Sequence, residues 1–285
     1  MMNEKKVVLV AGASGGIGRD TAQYLFEMGC IVYAGARSYK NVSGEPETNK
    51  NQGEFHKVFL DVTDEQSIDS LMQNIIKNEG RIDVLVNCAV FLILGSVEDL
   101  SMDEFQSVIN TGLYGTVRMC RHVLPFMREK KKGLIINFSS GAGLVGIPFQ
   151  SPYCSAKFAI EGFSEVLRWE VKNYGIDVVL FEPGDSNAGS NNYRLHAQRA
   201  DLKESPYYAD FKTVTEKIES DEANGAAGIL SAQKIYKIIN KSKPGIRYNV
   251  FRSMEKLILL KLILPSKLIE WIFFGYYNLK KKKAK

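Results

Sequence analysis

The chain has 285 residues, 45% hydrophobic and 24% charged, a composition typical of a globular protein with one large core. Its formal charge is +5, but residues 251–285 hold nine basic and two acidic residues, so residues 1–250 have 28 basic against 30 acidic ones. This distribution argues against a nucleic-acid partner, which needs lysine and arginine spread over a binding face. The four cysteines are widely spaced, and the first apolar run, 7–11, is too short for a signal-peptide core. We therefore expect a cytoplasmic protein with reduced cysteines and no metal site.

Short apolar runs alternate with helix-like stretches along the first 250 residues. Strands that are apolar throughout and separated by helices indicate a parallel sheet covered on both faces. This predicts a single doubly wound (Rossmann) α/β domain over residues 1–250, with a seven-stranded parallel sheet. The predicted strands are 7–11, 30–34, 57–60, 83–86, 134–138, 177–181 and 247–250, and the main helices are 20–28, 65–78, 102–129 and 155–173.

Two segments interrupt this alternation. Residues 41–53 are polar and rich in turn-forming residues, which predicts a loop. Residues 185–225 form a long excursion with short helices, and long insertions of this kind often cover binding sites. We interpret the second segment as a substrate lid, with a tolerated surface loop as the alternative.

The stretch VVLVAGASGGIGRD, residues 7–20, reads as strand, glycine-rich turn and helix. Glycines remove side chains where a backbone must approach a phosphate, and the following helix points its free N–H groups at that anion. The position after the first strand of an alternating α/β pattern is the context that a dinucleotide-binding turn requires. The predicted cofactor-binding residues here are Gly12, Ser14, Gly16, Ile17 and Gly18.

The end of the second strand indicates which dinucleotide is bound. An acidic residue at this point would hold the 2′-hydroxyl of NAD, but Ala36 is neutral and Arg37 is a permanent cation. Arg37 with Ser14 suits the 2′-phosphate of NADP, although a solvated surface arginine is the alternative. Asp61, after the third strand, is predicted to accept a hydrogen bond from the adenine amine, with Val62 beside it.

Six short motifs occur in a fixed order: AGASGGIG (11–18), DVTD (61–64), NCAV (87–90), INFSSGAG (136–143), YCSAK (153–157) and EPG (182–184). Together they resemble the short-chain dehydrogenase/reductase family over about residues 5–250. The stretches 115–127, 143–168 and 244–250 look most like the NADP-preferring branch that contains 17β-hydroxysteroid and retinol dehydrogenases.

The resemblance implies a catalytic set of Ser140, Tyr153, Lys157 and Gly112. Tyr153 would exchange a proton with the substrate oxygen while hydride moves to or from the nicotinamide, and Ser140 would hydrogen-bond the same oxygen. A free phenol has a pKa of about 10, and Lys157 together with oxidised nicotinamide would lower it. Gly112 stands where the family commonly has an asparagine whose carbonyl positions a water relayed to the lysine.

The resemblance also implies cofactor contacts from residues farther along the chain. Several positions depart from the family pattern. Ala11, Cys88, Val90 and Ala188 replace the usual threonine, asparagine, glycine and threonine, which puts individual cofactor contacts in doubt. The predicted cofactor residues beyond the first turn are Arg37, Asp61, Val62, Asn87, Tyr153, Lys157, Pro183, Gly184 and Ser186.

Apolar residues on both sides of the catalytic tyrosine in sequence predict an apolar slot. The predicted substrate residues are Leu144, Val145, Phe149 and Tyr193. By resemblance the substrate is a bulky apolar alcohol or ketone, foremost a hydroxysteroid of the 17β-hydroxysteroid or bile-acid type. The alternatives are a retinol- or lipid-type carbonyl reductase and a non-catalytic NADP-binding protein. The family's long fourth and fifth helices commonly pair subunits, which implies a homodimer or homotetramer.

Residues 251–285 form a separate basic tail. Lysines, Pro265 and Glu270 interrupt its apolar residues, so no stretch approaches the ~20 apolar residues of a spanning helix. We expect two amphipathic helices broken at Pro265. Three roles of the tail remain open. It packs over the substrate cleft or a subunit interface, it contacts an anionic membrane surface, or it is a solvated end. The membrane contact would also suit a protein that acts as a membrane-surface scaffold.

Overall fold

The computed structural model describes residues 5–42, 44–189, 193–250, 261 and 263–279. Strands form wherever the sequence offers short apolar, β-branched runs, and five residues of the first strand are completely buried. The strands are β1 (Val7–Ala11), β2 (Ile31–Ala36), β3 (Glu47–Thr48), β4 (Glu54–Phe59), β5 (Val84–Asn87), β6 (Leu92–Leu94), β7 (Gly133–Phe138), β8 (Ile176–Pro183), β9 (Arg194–His196) and β10 (Arg247–Val250).

Helices occupy the connections between the strands. Asp64 caps the second helix by accepting from the Gln66 N–H, and Ser101 and Glu104 form a capping box on the third. The helices are α1 (Gly16–Glu27), α2 (Glu65–Glu79), α3 (Met102–Ile109), α4 (Gly115–Glu129), α5 (Ser151–Val171), α6 (Tyr208–Ala223), α7 (Gly228–Ile239) and α8 (Ser266–Tyr276).

The main sheet has the strand order β10-β8-β7-β5-β1-β2-β4-β3, with β1 paired in parallel register to β2 and β5. Separate apolar clusters cover its two faces, one beneath α2, α4 and α5 and the other beneath α1 and α7. The predicted doubly wound α/β fold is confirmed. Its strand order reverses between β1 and β5, which is where such sheets bind ligands at the carboxyl ends of the strands.

The sheet has eight strands in the described residues, one more than the seven predicted. The additional strand, β3, is antiparallel and lies within the segment 41–53, which the sequence analysis assigned to a loop. Two exposed residues pair there with β4 without an apolar run, so hydrophobic patterning carried no signal for them. β4 begins three residues before its predicted start because its buried and solvent-facing residues alternate.

One predicted helix, 102–129, is divided. A π-helical turn at Asn110–Tyr114 separates α3 from α4. Within it the Thr116 hydroxyl donates to the Gly112 carbonyl at 2.8 Å. Gly112 packs so that a Cβ would lie 3.5 Å from the Ala156 side chain. The wider turn lets the polypeptide pass close to α5, which carries the Tyr153 and Lys157 side chains.

The segment 185–225 is more regular than expected. It contains β9, which pairs in parallel with β6, and the 16-residue helix α6. The described part of the tail contains α8, which begins directly after Pro265 as predicted. The first tail helix falls on residues 251–264, most of which lie outside the described residues. Within the described ranges, every helix is too short or too polar to cross a membrane.

Candidate active site

The glycine turn between β1 and α1 leaves space for a phosphate. Gly12 has φ +90°, and a Cβ there would lie 2.6 Å from the backbone of Ala89. A Cβ on Gly18 would lie 2.2 Å from the Gly12 carbonyl oxygen. Side chains are therefore excluded at both positions, and the first turn of α1 can present its N–H groups to an anion. This cradle fits the pyrophosphate of a dinucleotide.

A cleft of about 770 Å³ runs along the carboxyl ends of the central strands, within the usual size of ligand sites. It begins at the glycine turn and extends past Tyr153 to the C-terminal helix. The structure brings most of the predicted site residues to this cleft. Those that line it are Gly12, Ser14, Gly16, Ile17, Gly18, Arg37, Asp61, Val62, Ser140, Val145, Tyr153, Lys157, Pro183, Gly184, Ser186 and Tyr193.

Arg37 and Asp61 lie at the end of the cleft that would hold an adenosine. Arg37 begins a short 3₁₀ turn after β2 and is exposed. One Asp61 carboxylate oxygen accepts from the Thr63 N–H at 2.9 Å and from the Thr63 hydroxyl at 2.7 Å. These bonds fix the Asp61 carboxylate, while Arg37 extends from the backbone without a described ion pair.

Ser140 follows β7 and meets Tyr153 from α5. The Ser140 hydroxyl accepts from the Ala142 N–H at 3.2 Å and lies within hydrogen-bonding reach of the Tyr153 phenol. Burial raises the pKa of Tyr153 above its usual value, and the bond from Ser140 lowers it in part. The sequence analysis expected Lys157 and oxidised nicotinamide together to lower this pKa, whereas in the protein alone desolvation has the larger effect.

Lys157 is only 3% exposed. Its ammonium donates to the Phe138 carbonyl at 2.6 Å and lies 5.5 Å from the centroid of the Tyr153 ring. Burial lowers the pKa of Lys157 to about 8. The ammonium thus faces the Tyr153 ring and the end of β7. With a pKa of about 8, it loses its charge as the pH rises just above neutrality.

Asn87 and Gly112 lie beside the cleft and both form hydrogen bonds within the protein, but the buried Asn87 Oδ1 accepts none from the described residues. The Asn87 amide donates to the Asn137 side-chain oxygen at 2.9 Å, and the Asn137 amide donates to the Ser164 hydroxyl at the same distance. The Gly112 carbonyl accepts from Thr116. Both residues therefore support the strands and helices around the site, and neither lines the cleft in the described residues.

Cys88 replaces a usual asparagine without disrupting the glycine turn. Its thiol donates to the Ala11 carbonyl at 3.1 Å. Burial raises the pKa of Cys88 to about 12, so the thiol is neutral at physiological pH. Cys88 thus acts as a small packing residue beside the glycine turn, and the Lys157 ammonium partly opposes the rise in the pKa of its thiol.

The predicted substrate residues divide between different surroundings. Val145 and Tyr193 line the main cleft, and the Tyr193 ring lies over Gly16, 3.3 Å from where a Cβ would be. Phe149 lines a neighbouring cavity and packs edge-to-face on Phe211. The Leu144 carbonyl accepts from the Lys261 ammonium at 2.7 Å. Tyr193 therefore lies toward the phosphate end of the cleft, away from a slot shared with Phe149.

The far wall of the cleft is formed by α8, whose residues the sequence analysis did not include in the site. The Tyr276 hydroxyl donates to the Asp221 carboxylate at 2.8 Å, which ties α8 to α6. Tyr277 is buried against Val214 and Ile218 of α6. The cleft-facing aromatic and apolar residues of this segment are Ile272, Phe273, Tyr276 and Tyr277.

The sequence analysis also failed to predict several other residues that line the cleft. They come from the segment after β5, the π-helical turn, the start of α5 and the segment 185–225, and a single sequence offers no signal that distinguishes them from core residues. Arg194, with a side chain 3% exposed, forms an ion pair with Glu222 at the cleft edge. The additional lining residues include Phe91, Leu92, Thr111, Ile147, Gln150, Asp185 and Glu222.

One group of possible metal ligands lies outside the cleft lining. Ligand atoms of Glu54, His56 and Glu79 lie within 4.8 Å of one another. The Lys5 ammonium is 3.4 Å from the Glu54 carboxylate, and the Tyr33 hydroxyl donates to Glu79 at 2.8 Å. These partners account for the carboxylates without a metal ion.

A glycine-lined dinucleotide cradle next to a buried lysine and a partly buried tyrosine and serine is typical of a nicotinamide-dependent oxidoreductase. The sequence model of the short chain dehydrogenase family matches residues 6–198. The chain belongs to the short-chain dehydrogenase family and is an oxidoreductase that uses a nicotinamide cofactor.

Named relatives extend this result over nearly the whole chain. The 3-ketodihydrosphingosine reductase of Bacteroides thetaiotaomicron is 35% identical over 279 residues, covering 97% of this chain and 100% of the relative. An NADPH-dependent pterin aldehyde reductase of Arabidopsis thaliana is 32% identical over 183 residues, covering 64% of this chain and 75% of the relative. The crystal structure of a short-chain dehydrogenase from Streptomyces avermitilis superposes with a TM-score of 0.76 at 27% identity, covering 95% of this chain and 98% of that structure.

Proposed function

We propose that the protein is an NADP(H)-dependent reductase that converts a ketone on a long, apolar lipid into a secondary alcohol, or the reverse. The observation that carries this proposal is the position of α8, whose apolar residues continue the cleft beyond Tyr153. Ser140, Tyr153 and Lys157 are the proposed catalytic residues. Their retention argues against the alternative of a non-catalytic NADP-binding protein.

When bound, the dinucleotide supplies or accepts the hydride. The residues of the chain handle the proton and the position of the substrate oxygen. In reduction, the Tyr153 hydroxyl donates its proton to the forming alkoxide, while the Ser140 hydroxyl holds the same oxygen by a hydrogen bond. Lys157 places a positive charge beside the tyrosine ring and so favours the resulting phenolate. Because burial opposes that phenolate, the lysine and the positive nicotinamide of the oxidised state must together offset the desolvation.

We assign the preference for NADP(H) to Arg37. It lines the cleft after β2, at the position where an acidic residue would bind the ribose 2′-hydroxyl of NAD. Ser14 lines the same end and offers a hydroxyl to a phosphate. A guanidinium can form two charge-assisted hydrogen bonds to that phosphate, which a solvated arginine would not.

We expect Arg37→Ala to weaken NADPH binding by about 1.5–3 kcal/mol, the range for a charge-assisted bond, while NADH binding changes little. Dissociation constants for both cofactors, measured by titration of nucleotide fluorescence, test this. Lys40→Ala is the matched control, since that nearby ammonium lies over the Phe59 ring, 5.8 Å from its centroid. If Arg37→Ala loses equal affinity for NADPH and NADH, Arg37 does not contact the 2′-phosphate.

The proposed substrate class is a ketone next to a long alkyl chain, as in 3-ketodihydrosphingosine. The relative that carries this substrate in its name aligns with 97% of the chain, including the tail. The apolar wall of α8 supports a chain-like substrate because it extends the cleft past the reacting tyrosine. A hydroxysteroid, which the sequence favours, is the second candidate, since the cleft has the size and apolar character for a rigid ring system.

The test is NADPH oxidation with three ketones: 3-ketodihydrosphingosine, a 17-ketosteroid and butanone. We expect kcat/KM to be highest for the long-chain ketone and lowest for butanone, which gains little apolar contact. A higher kcat/KM for the ketosteroid than for the long-chain ketone would favour the second candidate, a hydroxysteroid. Equal values for butanone and the best substrate would refute the apolar-slot proposal, and absence of turnover with all three would favour a non-catalytic protein.

We expect Phe273→Ala to lower kcat/KM for the long-chain ketone about tenfold, because ~60 Å² of lost apolar contact at ~25 cal/mol per Å² corresponds to that factor. Turnover of butanone stays within about twofold, since the short ketone does not reach α8. Phe274→Ala is the matched control on the same helix, because Phe274 lines the neighbouring cavity. Equal losses for both ketones, or an equal effect of Phe274→Ala, would contradict the proposed wall.

We further propose a homodimer or homotetramer that pairs through α4 and α5. Val166 and Trp169 are 56% and 74% exposed on α5, a large apolar area for a helix surface. The division into residues 1–250 and a tail, the role of 185–225 as a lid and a cytoplasmic location remain predictions. Sedimentation of the purified protein measures the oligomeric state.

A further inference from the structure

The two sides of α8 differ in what they contact. Phe273 and Tyr277 face the cleft and α6. On the opposite side, Leu268 and Trp271 are 40% and 73% exposed, and Ile263, just before the helix, is 78% exposed. A short helix that is apolar on both sides presents more apolar surface to water than a soluble protein usually leaves uncovered.

The segment that contains this apolar surface is rich in basic residues. Lys267 is exposed on α8, and the sequence continues after the helix with four consecutive lysines, 280–283. Glu270 is the acidic residue within the helix. Residues 251–285 carry nine basic and two acidic residues, whereas residues 1–250 are slightly acidic overall. The sequence therefore concentrates basic residues in the segment that contains α8.

A second pair of exposed apolar residues, on α5, allows the charges near the two tryptophans to be compared. Val166 and Trp169 on α5 have the same three-residue spacing as Leu268 and Trp271, and Trp169 is equally exposed. Trp169 lies between Arg168 and Glu170 in sequence, and the Lys172 ammonium lies 5.8 Å from the centroid of its ring. The charges beside Trp169 are therefore balanced, whereas the segment that contains Trp271 has nine basic and two acidic residues, which an anionic surface would attract.

We propose that α8 docks the protein on a bilayer that contains anionic phospholipid. Leu268 and Trp271 insert at the level of the headgroups, and Lys267 contacts the lipid phosphates. With 11 residues, α8 is about 16 Å long, so it lies in the interface and cannot cross a hydrocarbon core of about 30 Å. This docking depends on α8 alone and is independent of the proposed substrate.

Tryptophan fluorescence of the full chain tests the orientation directly, because the protein has two tryptophans. In Trp169→Phe, Trp271 is the only tryptophan, and in Trp271→Phe, Trp169 is. We expect vesicles of phosphatidylcholine with 30 mol% phosphatidylglycerol to shift the Trp271 emission to the blue and to quench it when the lipids are brominated. The Trp169 emission stays unchanged under the same conditions.

Vesicle sedimentation measures how much electrostatic attraction contributes to membrane binding. We expect partitioning of the wild type to fall about tenfold or more when phosphatidylglycerol is omitted or salt is raised to 0.5 M, since each lysine near an anionic surface contributes a severalfold factor. Lys267→Glu should lower partitioning about tenfold or more, because it both removes and reverses a charge. Lys172→Glu, beside Trp169, is the matched control and should have no effect. Leu268→Glu/Trp271→Glu should abolish binding, with NADPH binding as the check that the variant is folded.

Three results would overturn the proposal. One is failure of the wild type to bind vesicles of any charge. Another is a response of Trp169 in place of Trp271. The third is a Trp271 emission already shifted to the blue without lipid, together with a dimer that dissociates in Leu268→Glu/Trp271→Glu, which would identify a second copy of the chain as the partner. Each readout is independent of turnover, so failure of the proposed reductase activity would leave this test intact.

Discussion

Tyr153→Phe is expected to lower kcat for ketone reduction by about 10²–10⁴-fold, the range for loss of a positioned acid or base. The substitution removes only the phenol oxygen, and the ring can keep its place above the Lys157 ammonium, 5.5 Å away in the wild type. NADPH binding should therefore remain close to the wild-type value. Steady-state turnover and fluorescence titration of NADPH separate the two quantities.

Tyr174→Phe is the matched control, because Tyr174 is an exposed tyrosine in the 3₁₀ turn directly after α5. It makes the same chemical change outside the cleft and should leave turnover unchanged. A Tyr153→Phe variant that keeps more than about a tenth of wild-type kcat would show that another group supplies the proton. Loss of NADPH affinity in parallel with kcat would instead indicate a damaged cofactor site.

Lys157→Met is expected to make the protein more stable at pH 7 while lowering kcat by about 10²-fold or more. The wild-type ammonium is buried, and its pKa is lowered to about 8 from about 10.4 in an unfolded chain. A shift of this size corresponds to a penalty of about 3 kcal/mol for keeping the group charged in the folded state. Loss of this charged group's bond to the Phe138 carbonyl offsets about 1.5 kcal/mol, so the net gain is about 1.5 kcal/mol.

The pH dependence has a definite sign. Because the folded protein binds the Lys157 proton less tightly than the unfolded chain does, the unfolded state holds more protons between about pH 8 and 10.4. The penalty is thus fully present below pH 8 and disappears as the pH rises toward 10.4. The stability advantage of Lys157→Met over the wild type should shrink over the same interval.

Urea unfolding at pH 7, 8, 9 and 10 measures this difference. Lys172→Met is the control, since Lys172 is exposed just after the same helix, and it should change the free energy of unfolding by less than about 0.5 kcal/mol at each pH. A Lys157→Met variant that is less stable than the wild type at pH 7 would mean that the ammonium's partners outweigh its desolvation.

The sequence predicted the sheet well because its strands are encoded locally. A run such as Val7–Ala11, apolar on both faces and followed by glycines, is compatible with few arrangements other than a buried parallel strand before a phosphate turn. The cradle at Gly12 follows from the same local signal. Ser140 and Tyr153 are brought together by the fold and not by a local pattern. Their pairing was predicted from the resemblance of the surrounding motifs to a known family.

Other parts of the site depend on contacts that a single sequence does not contain. The aromatic residues of α8 are as compatible with a membrane or a second subunit as with a cleft, and only the fold brings Phe273 beside the site. The pKa of Tyr153 is a second case. Its neighbours in sequence suggested stabilisation of the phenolate, but burial is a property of the whole fold and dominates in the protein alone.

The residues at the α8 end of the cleft have a small apolar core of their own. Val214, Ile218 and Tyr277 pack together with Phe273 and Tyr276, apart from the two larger clusters that cover the sheet. Phe149 also packs with the cluster that includes Tyr153, so substitutions here should couple to the catalytic end of the cleft more than to the sheet. If α8 forms the substrate wall as proposed, changes in α6 and α8 would alter specificity while the glycine turn keeps its packing, an arrangement that favours evolutionary diversification.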